Sequence, residues 1–414
     1  MRLAAGLLVA MLAACYAPIP PAGAPCDLSL NNCPAGQRCE MTPSGAFCGG
    51  TASMVDGAVK IDGKIPDSAP GCLGTGLVTN VCLMPQPTTD LMIAQNRTIN
   101  TAMVGGGNCD QIVAQQLGGP SMCMIVGKTI TITAGVKLTA QGPNPLLLVA
   151  KETFDISGSI DVASHPGVPN PGAGSDMNCT SNVGGNGSGN DGAGGGGAGG
   201  TFGTQGGAGG QGRNGGAGGT SIPTMTPGSL RGGCRGGTGG AGSGGGFGGP
   251  GLGGAGGGGV YVLAGTSITI GGSINASGGP GGPGLDSTNA GAGGGGGGSG
   301  GMIALDAPMI SVTGSLFANG GGGGGGNGND VQFPGTAGGE TTSATVQANG
   351  GPGGNNGGGN GGKGYALNLN ATNGANGGSQ YCAGGGGGGG GGVIKVFGGP
   401  TPGAIGGTIS PPAT

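Results

Sequence analysis

The chain has 414 residues, of which 120 are glycine, while only 7% are charged and 3% aromatic, with no Trp. Large side chains are too few to fill the several cores that a globular enzyme of this length would need. The net charge of −3, with 13 basic residues scattered singly, lacks both the basic patch of a nucleic-acid binder and the high charge of a typical disordered chain.

Residues 1–14 carry one positive charge at Arg2, an apolar run from Leu3 to Met11 and small residues before Cys15. This is a secretory signal, too short to span a bilayer. Its end, Leu12-Ala13-Ala14-Cys15, resembles the lipobox of bacterial lipoproteins. The resemblance implies that Cys15 becomes the acylated first residue of the mature chain, so that the lipid is its contact with the membrane. With Tyr16 rather than Asp next, it also implies export to the outer membrane or cell surface. An ordinary cleaved signal with Cys15 as a bystander is the alternative. Residues 15–25 read as the lipidated cysteine and a Pro/Ala tether.

The sequence holds 12 cysteines, which behind a secretory signal points to disulfides. Cys26, Cys33, Cys39 and Cys48 lie among turn formers and predict a small disulfide knot over 26–55, with the pairing open. No two-residue zinc-knuckle spacing occurs there and no His lies nearby, so no metal is expected. Cys72 with Cys82, Cys109 with Cys123 and Cys179 with Cys234 are the further candidate bridges. If Cys15 is acylated an odd number remain, and Cys382, alone in a glycine tract, is the candidate for the thiol left over.

From residue 123 to 414 an apolar-x-Gly-x-apolar signature recurs: Ile156-Ser157-Gly158-Ser159-Ile160, Ile270-Gly271-Gly272-Ser273-Ile274, Val312-Thr313-Gly314-Ser315-Leu316 and Ile405-Gly406-Gly407-Thr408-Ile409. Strand signals at a fixed phase, separated by long insertions, predict an all-β fold, a short parallel β-helix (solenoid) of about five coils. Three apolar alternations per coil supply the inward positions. For the first strands these read Cys123/Ile125, Leu147/Val149, Tyr261/Leu263, Ile303/Leu305 and Ile394/Val396. The second and third strands read Phe154/Ile156 with Ile160/Val162, and Ile268/Ile270 with Ile274/Ala276. Ile61 to Ile65 repeats the signature, Arg97 to Thr101 fits a partial strand, and 56–122 is expected to cap the stack. Pro400 and Pro402 should break the second strand of the last coil.

Glycine-rich insertions occupy about 166–259, 279–301 and 320–392. All three interrupt the same phase, so they should leave from one corner, where solenoid insertions often form the working face. Ordering glycine costs more backbone entropy than ordering any other residue. The tracts are therefore compatible with disorder or with bundles of threefold glycine helices resembling polyproline II.

Lipobox, cysteine knot and interrupted solenoid together resemble the glycine-rich surface lipoproteins of bacteria, a likeness that implies no particular activity. The expected role is a structural or adhesive one at the cell surface, without catalysis or cofactor. The insertions would contact extracellular matrix, polysaccharide or a protein partner through backbone hydrogen bonds; no nucleic-acid partner is expected. The alternative is a polysaccharide-degrading or carbohydrate-binding β-helix, which would need clustered carboxylates; Asp155 and Asp161 stand on one coil but read as solvated strand positions. His165, the one histidine, has Asp161 four residues before it and reads as a turn residue, since no nucleophile is specified. Gly325 to Asp330 resembles the start of the calcium-binding nonapeptide of repeat toxins, making Asp330 a weak calcium candidate, but no tandem copy flanks it.

Overall fold

The computed structural model describes strands Gln37–Thr42 and Gly45–Gly50, and residues 72–414 apart from 117, 168–170, 177–178, 180–186, 189–191, 243–248, 286–289, 329–333, 380 and 399–404. The signal, Cys15, Cys26, Cys33, the Ile61 signature and Asp330 lie outside these residues. The chain divides into two compact units, Met1–Pro66 and Asp67–Thr414.

In the first unit, β1 (Gln37–Thr42) pairs antiparallel with β2 (Gly45–Gly50), and the register sets Cys39 opposite Cys48. In the second unit, the strands are β3 (Cys72–Thr75), β4 (Thr79–Cys82), β5 (Leu91–Ile93), β6 (Arg97–Asn100), β7 (Gln111–Val113), β8 (Met122–Gly127), β9 (Ile130–Ile132), β10 (Lys137–Gln141), β11 (Leu146–Ala150), β12 (Thr153–Ile156), β13 (Ser159–Asp161), β14 (Gly259–Ala264), β15 (Ser267–Ile270), β16 (Ser273–Asn275), β17 (Met302–Asp306), β18 (Met309–Val312), β19 (Ser315–Phe317), β20 (Val393–Phe397) and β21 (Thr408–Ser410). The described residues contain no helix.

β3 and β4 form an antiparallel hairpin; most of the rest belongs to three parallel sheets. The first runs β8-β11-β14-β17-β20, with β7 added antiparallel at its edge. The second runs β5-β9-β12-β15-β18, and the third β6-β10-β13-β16-β19-β21. The chain visits the three in rotation. All three long connections leave the third sheet, after β13, β16 and β19, and return to the first at β14, β17 and β20. Among the described residues the second sheet ends at β18, with a bridge from Val312 to Ile405 beyond it; Pro400 and Pro402, expected to break a strand there, lie outside the described residues. β5 and β6 extend the second and third sheets at the other end.

The signature glycines have a physical reason. Gly158, Gly272, Gly314 and Gly407 sit one above another at the turn into the third sheet. Gly272 donates to the Ile156 carbonyl at 2.9 Å, Gly314 to Ile270 at 3.0 Å and Gly407 to Val312 at 2.9 Å. A Cβ on Gly272 or Gly314 would overlap the carbonyl of the signature glycine before it. The turn therefore stacks only when it is bare.

Inside the three sheets lies one apolar core. It includes Ile132, Leu138, Phe154, Ile156, Ile160, Ile270, Ile274, Val312 and Leu316. In the first sheet the inward residues are Leu146 and Leu148 of β11 and Val260 and Val262 of β14, aligned with Cys123/Ile125 and Ile303/Leu305. The phase read from sequence for Leu147/Val149 and Tyr261/Leu263 is therefore off by one. These four belong to a second cluster on the outer face, with Met122, Met124, Phe202 and Leu230. A strand covered on both faces is a continuous apolar run and carries no alternation from which to read its phase.

Candidate functional site

The three insertions form one hydrogen-bonded array rather than separate loops. In segment 291–300 three successive residues donate in three directions: Gly293 to Gly240 (2.9 Å), Gly294 to Gly384 (3.0 Å) and Gly295 to Gly282 (2.9 Å). Three residues on, each direction repeats, with Gly296 to Gly237, Gly297 to Gly387 and Gly298 to Gly279, all at 2.9 Å. Segments 250–257 and 320–327 donate into the same segment, and Gly194, Gly197 and Gly200 donate to Gly291, Gly294 and Gly297 at 2.9 Å each. Segment 291–300 is thus enclosed on every side, and each of its residues is buried.

Composition follows depth in this array. Segments 192–200, 291–300, 320–327 and 383–392 are buried throughout and consist of Gly with a few Ala, Ser or Asn. A residue in an enclosed segment faces backbone whichever way it points: a Cβ on Gly297 would lie 2.6 Å from the Gly321 carbonyl carbon and 2.9 Å from the Gly322 oxygen. Peripheral segments keep Gly where they face inward and place another residue at every third position, as in Asn360/Lys363 and Asn373/Asn376, all exposed.

Part of the periphery is closed. In segment 206–212, Gly207 and Gly210 donate to Gly388 and Gly385, and Gly209 and Gly212 donate to Gly219 and Gly216. The third direction faces outward, where Ala208 and Gln211 donate to the side-chain oxygens of Asn373 and Asn376, both at 2.8 Å. Gly353 is capped in the same way by Asn360 Oδ1, and the Lys363 N–H by Thr372 Oγ1. In segment 278–284 the outward positions are Pro280 and Pro283, and in 349–354 the outward position is Pro352, so no donor exists there. At these positions the outward donors are capped or missing, whereas the exposed Leu252 and Ala337 N–H groups have no partner among the described residues.

An ionic latch ties the array to the third sheet. Asp161 ends β13, held by the ladder between Thr139 and Asn275. His165 places Nε2 3.2 Å from Asp161 Oδ2, and Nδ1 3.0 Å from Glu340 Oε2 in the third insertion. Lys137 Nζ lies 3.3 Å from Asp161 Oδ2, Asn275 Nδ2 donates to Asp161 Oδ1 at 3.4 Å, and the Ala163 N–H donates to the same oxygen at 3.2 Å. Hydrogen bonds to Asp161 and then Glu340, outweighing burial, push the His165 pKa up to about 10. Burial works to raise the Asp161 pKa, but His165 and Lys137 prevail and hold it below its usual value. His165 is therefore an imidazolium between two carboxylates at neutral pH, with no lone pair to accept a proton. The sequence placed Asp161 beside His165 but carried no sign of Glu340, which lies 175 residues away.

Asp155 stands elsewhere, on the exposed face of β12 between Thr131 and Thr269, accepting from Ser157 Oγ at 3.1 Å. Disulfides join Cys72 to Cys82, Cys109 to Cys123 and Cys179 to Cys234. The last closes the first insertion beside the buried Arg231, whose guanidinium stacks 5.5 Å above the Phe202 ring. Cys382 is a buried thiol at the end of an enclosed segment, 3.1 Å from the Asn356 carbonyl. Gly325 and Gly326, which began the calcium-like motif, donate within the array to Thr336 and Gly359. Among the described residues no group of His, Cys, Asp and Glu is arranged to hold a metal ion.

Comparison with protein-family models, with curated proteins and with solved structures found no match to this chain.

Proposed function

We propose that this chain is a lipid-anchored cell-surface protein with a structural or adhesive role, in which a short parallel β-helix of about five coils carries a bundle of threefold glycine helices. One observation carries the reading: in the enclosed segments, hydrogen bonds repeat every third residue and run from segment to segment. A left-handed helix of three residues per turn has no internal hydrogen bonds and turns its backbone groups outward in three directions, which is the arrangement that such a lattice requires. Rotation of the chain through three parallel sheets supports the β-helix, and insertions leaving one sheet for the same neighbour support a single working corner.

The bundle would present a rigid surface studded with small neutral side chains at regular spacing, suited to extracellular matrix, a polysaccharide or a protein partner. Where outward N–H groups are capped or absent, contact would run through side chains such as Gln211, Lys363 and Ala375, and elsewhere exposed backbone, as at Leu252 and Ala337, remains available. The latch supports a scaffold rather than a catalyst, since its histidine is committed to two carboxylates. Attachment through Cys15 rests on the Leu12 to Cys15 motif.

Two measurements test this. Cells displaying the chain should lose adhesion to matrix-coated surfaces when Ala208 and Ala375 are replaced by Glu, while glycine-tract hydrogen exchange stays slow. Unchanged adhesion with the bundle intact would remove the adhesive role. Labelling with radioactive palmitate should mark the wild type and not Cys15→Ser, and labelling that persists in the variant would remove the anchor.

A further inference from the structure

Away from the glycine bundle, a cleft of about 250 Å³ lies between the β3–β4 hairpin, β7 with the residues after it, and the outer face of the first sheet. Its floor is Met122, Met124 and Leu147, all buried in the second apolar cluster. Leu77, Val81 and Val113 form walls, and the side-chain amides of Asn80, Gln111 and Gln116 stand among the lining. Among the described residues no ionisable side chain lines it; Cys82 is held in a disulfide.

The walls are fixed without a ligand. One end of the hairpin is clamped by buried Asp306, which accepts from the Thr75 N–H (2.7 Å), Thr75 Oγ1 (2.8 Å), the Gly76 N–H (3.0 Å) and the Tyr261 hydroxyl (2.8 Å). The Cys72–Cys82 bridge ties the two strands together. Opposite, Gln115 is locked by Leu230 and Pro120, accepting from the Leu230 N–H at 2.8 Å and donating to the two carbonyls at 2.6 and 2.7 Å. A single strap crosses between the walls, where Thr79 Oγ1 donates to Gln116 Oε1 at 2.9 Å. The Asn80 and Gln111 side-chain amides make no hydrogen bond within the described residues, and Gln116 keeps its N–H donors.

We infer that this cleft binds one ring of a neutral, polyhydroxylated molecule. A cavity of about 150 Å³ takes a benzene-sized ring, so the present volume suits one six-membered ring with its substituents. Charge is disfavoured, because a charged group would lose water without meeting a counter-charge. Amides that both donate and accept match hydroxyls, which do the same, while the methionine and leucine floor suits the C–H face of a saturated ring. Preformed walls limit the ordering cost of binding.

The test titrates the full chain with methyl β-glucopyranoside and N-acetylglucosamine, followed by ligand-observed NMR, with glucuronate and indole as comparison probes. The neutral sugars should bind saturably with a Kd of roughly 1 mM, as expected for so small a ligand. Gln111→Ala and Asn80→Gly should each weaken binding at least about fivefold; glycine at 80 keeps the backbone, whose φ is 53°. Val81→Phe, which fills the cleft from its partly exposed wall, should abolish binding without lowering the melting temperature. Saturation absent up to about 50 mM, binding that survives Val81→Phe in a folded protein, or preference for indole or glucuronate would each overturn the assignment. Adhesion through the glycine bundle could fail its own test without affecting any of these outcomes.

Discussion

Replacing one enclosed glycine by alanine tests the packing of the array most directly. In Gly297→Ala the new methyl would lie 2.6 Å from the Gly321 carbonyl carbon and 2.9 Å from the Gly322 oxygen, and closer still to the Gly321 oxygen. Relieving that overlap means moving segments 291–300 and 320–327 apart by about 1 Å, given contact distances near 3.5 Å. The hydrogen bond from Gly321 to Gly298, now 2.9 Å, would then exceed the usual limit of about 3.2 Å, as would that from Gly324 to Gly295 at 2.8 Å. Overpacking costs about 1–3 kcal/mol, and each buried donor left unmet about 1–3 kcal/mol more. The expected loss is about 3–9 kcal/mol, a large part of the 5–15 kcal/mol that holds a typical domain together. Gly228, in the same first insertion as other array segments, has nothing within 4 Å of a Cβ and no positive φ. Gly228→Ala should be neutral or stabilise by about 0.4–1 kcal/mol. Urea unfolding, with hydrogen exchange resolved over 291–300 and 320–327, compares the two variants. Equal unfolding midpoints and equal exchange would refute the argument, because segments at the distances described cannot accept the methyl.

Three further outcomes follow from the same geometry. His165 titrates at about 10 in the folded chain against about 6.5 when unfolded, so the folded state holds an extra proton between those values. Its stabilisation, about 2–3 kcal/mol after discounting for partial exposure, is complete below pH 6.5 and is lost as pH rises toward 10; the melting temperature should fall over that window and fall less in His165→Ala. Asp306→Ala strands the buried Tyr261 hydroxyl and frees the more exposed Thr75 and Gly76 N–H groups to water, and should cost about 2–4 kcal/mol, with exchange rising first in the β3–β4 hairpin. Succinimide formation at an Asn-Gly step needs the glycine nitrogen free to attack the Asn side chain and expel ammonia. The nitrogens of Gly374 and Gly377 donate to Ala208 and Gln211, whereas Gly215 after the exposed Asn214 has no such bond. Mass spectrometry of aged protein should therefore find Asn214 deamidated before Asn373 or Asn376, and the reverse order would contradict the assigned bonds.

Which features were legible in the sequence depends on how local their cause is. The strands of the second sheet alternate cleanly, as in Phe154/Ile156 and Ile268/Ile270, because its other face, with Asp155, Thr269 and Ser311, reaches water; in the third sheet the alternation survives although Asp161 and Phe317 are buried, so Asp161 is not the solvated position expected from sequence. The first sheet hides its phase because Phe202 and Leu230, delivered by an insertion, cover its second face. The hairpin over residues 72–82 appeared only as a cap, since what holds it is Asp306, some 230 residues away. Glu340 was invisible for a related reason, as nothing local marks a residue that meets His165 only after two glycine tracts have packed.

The glycine tracts invert the usual relation between composition and order. A run such as Gly384 to Gly392 offers no side chain to bury and appears in isolation to favour the unfolded chain. Within the array the missing side chain is the condition for order, because only bare backbones approach closely enough to hydrogen-bond in three directions. The informative signal is then not glycine content but where glycine stops. A run with no interruption belongs to the interior, and one broken at every third residue belongs to the rim. The interrupting residue tells how that rim is finished: Pro280, Pro283 and Pro352 remove a donor, and Asn360, Asn373 and Asn376 cap one. Where the rim is finished in this way it resembles the protected edge of a β-sheet, and where it is not, as at Leu252 and Ala337, backbone N–H groups still face outward.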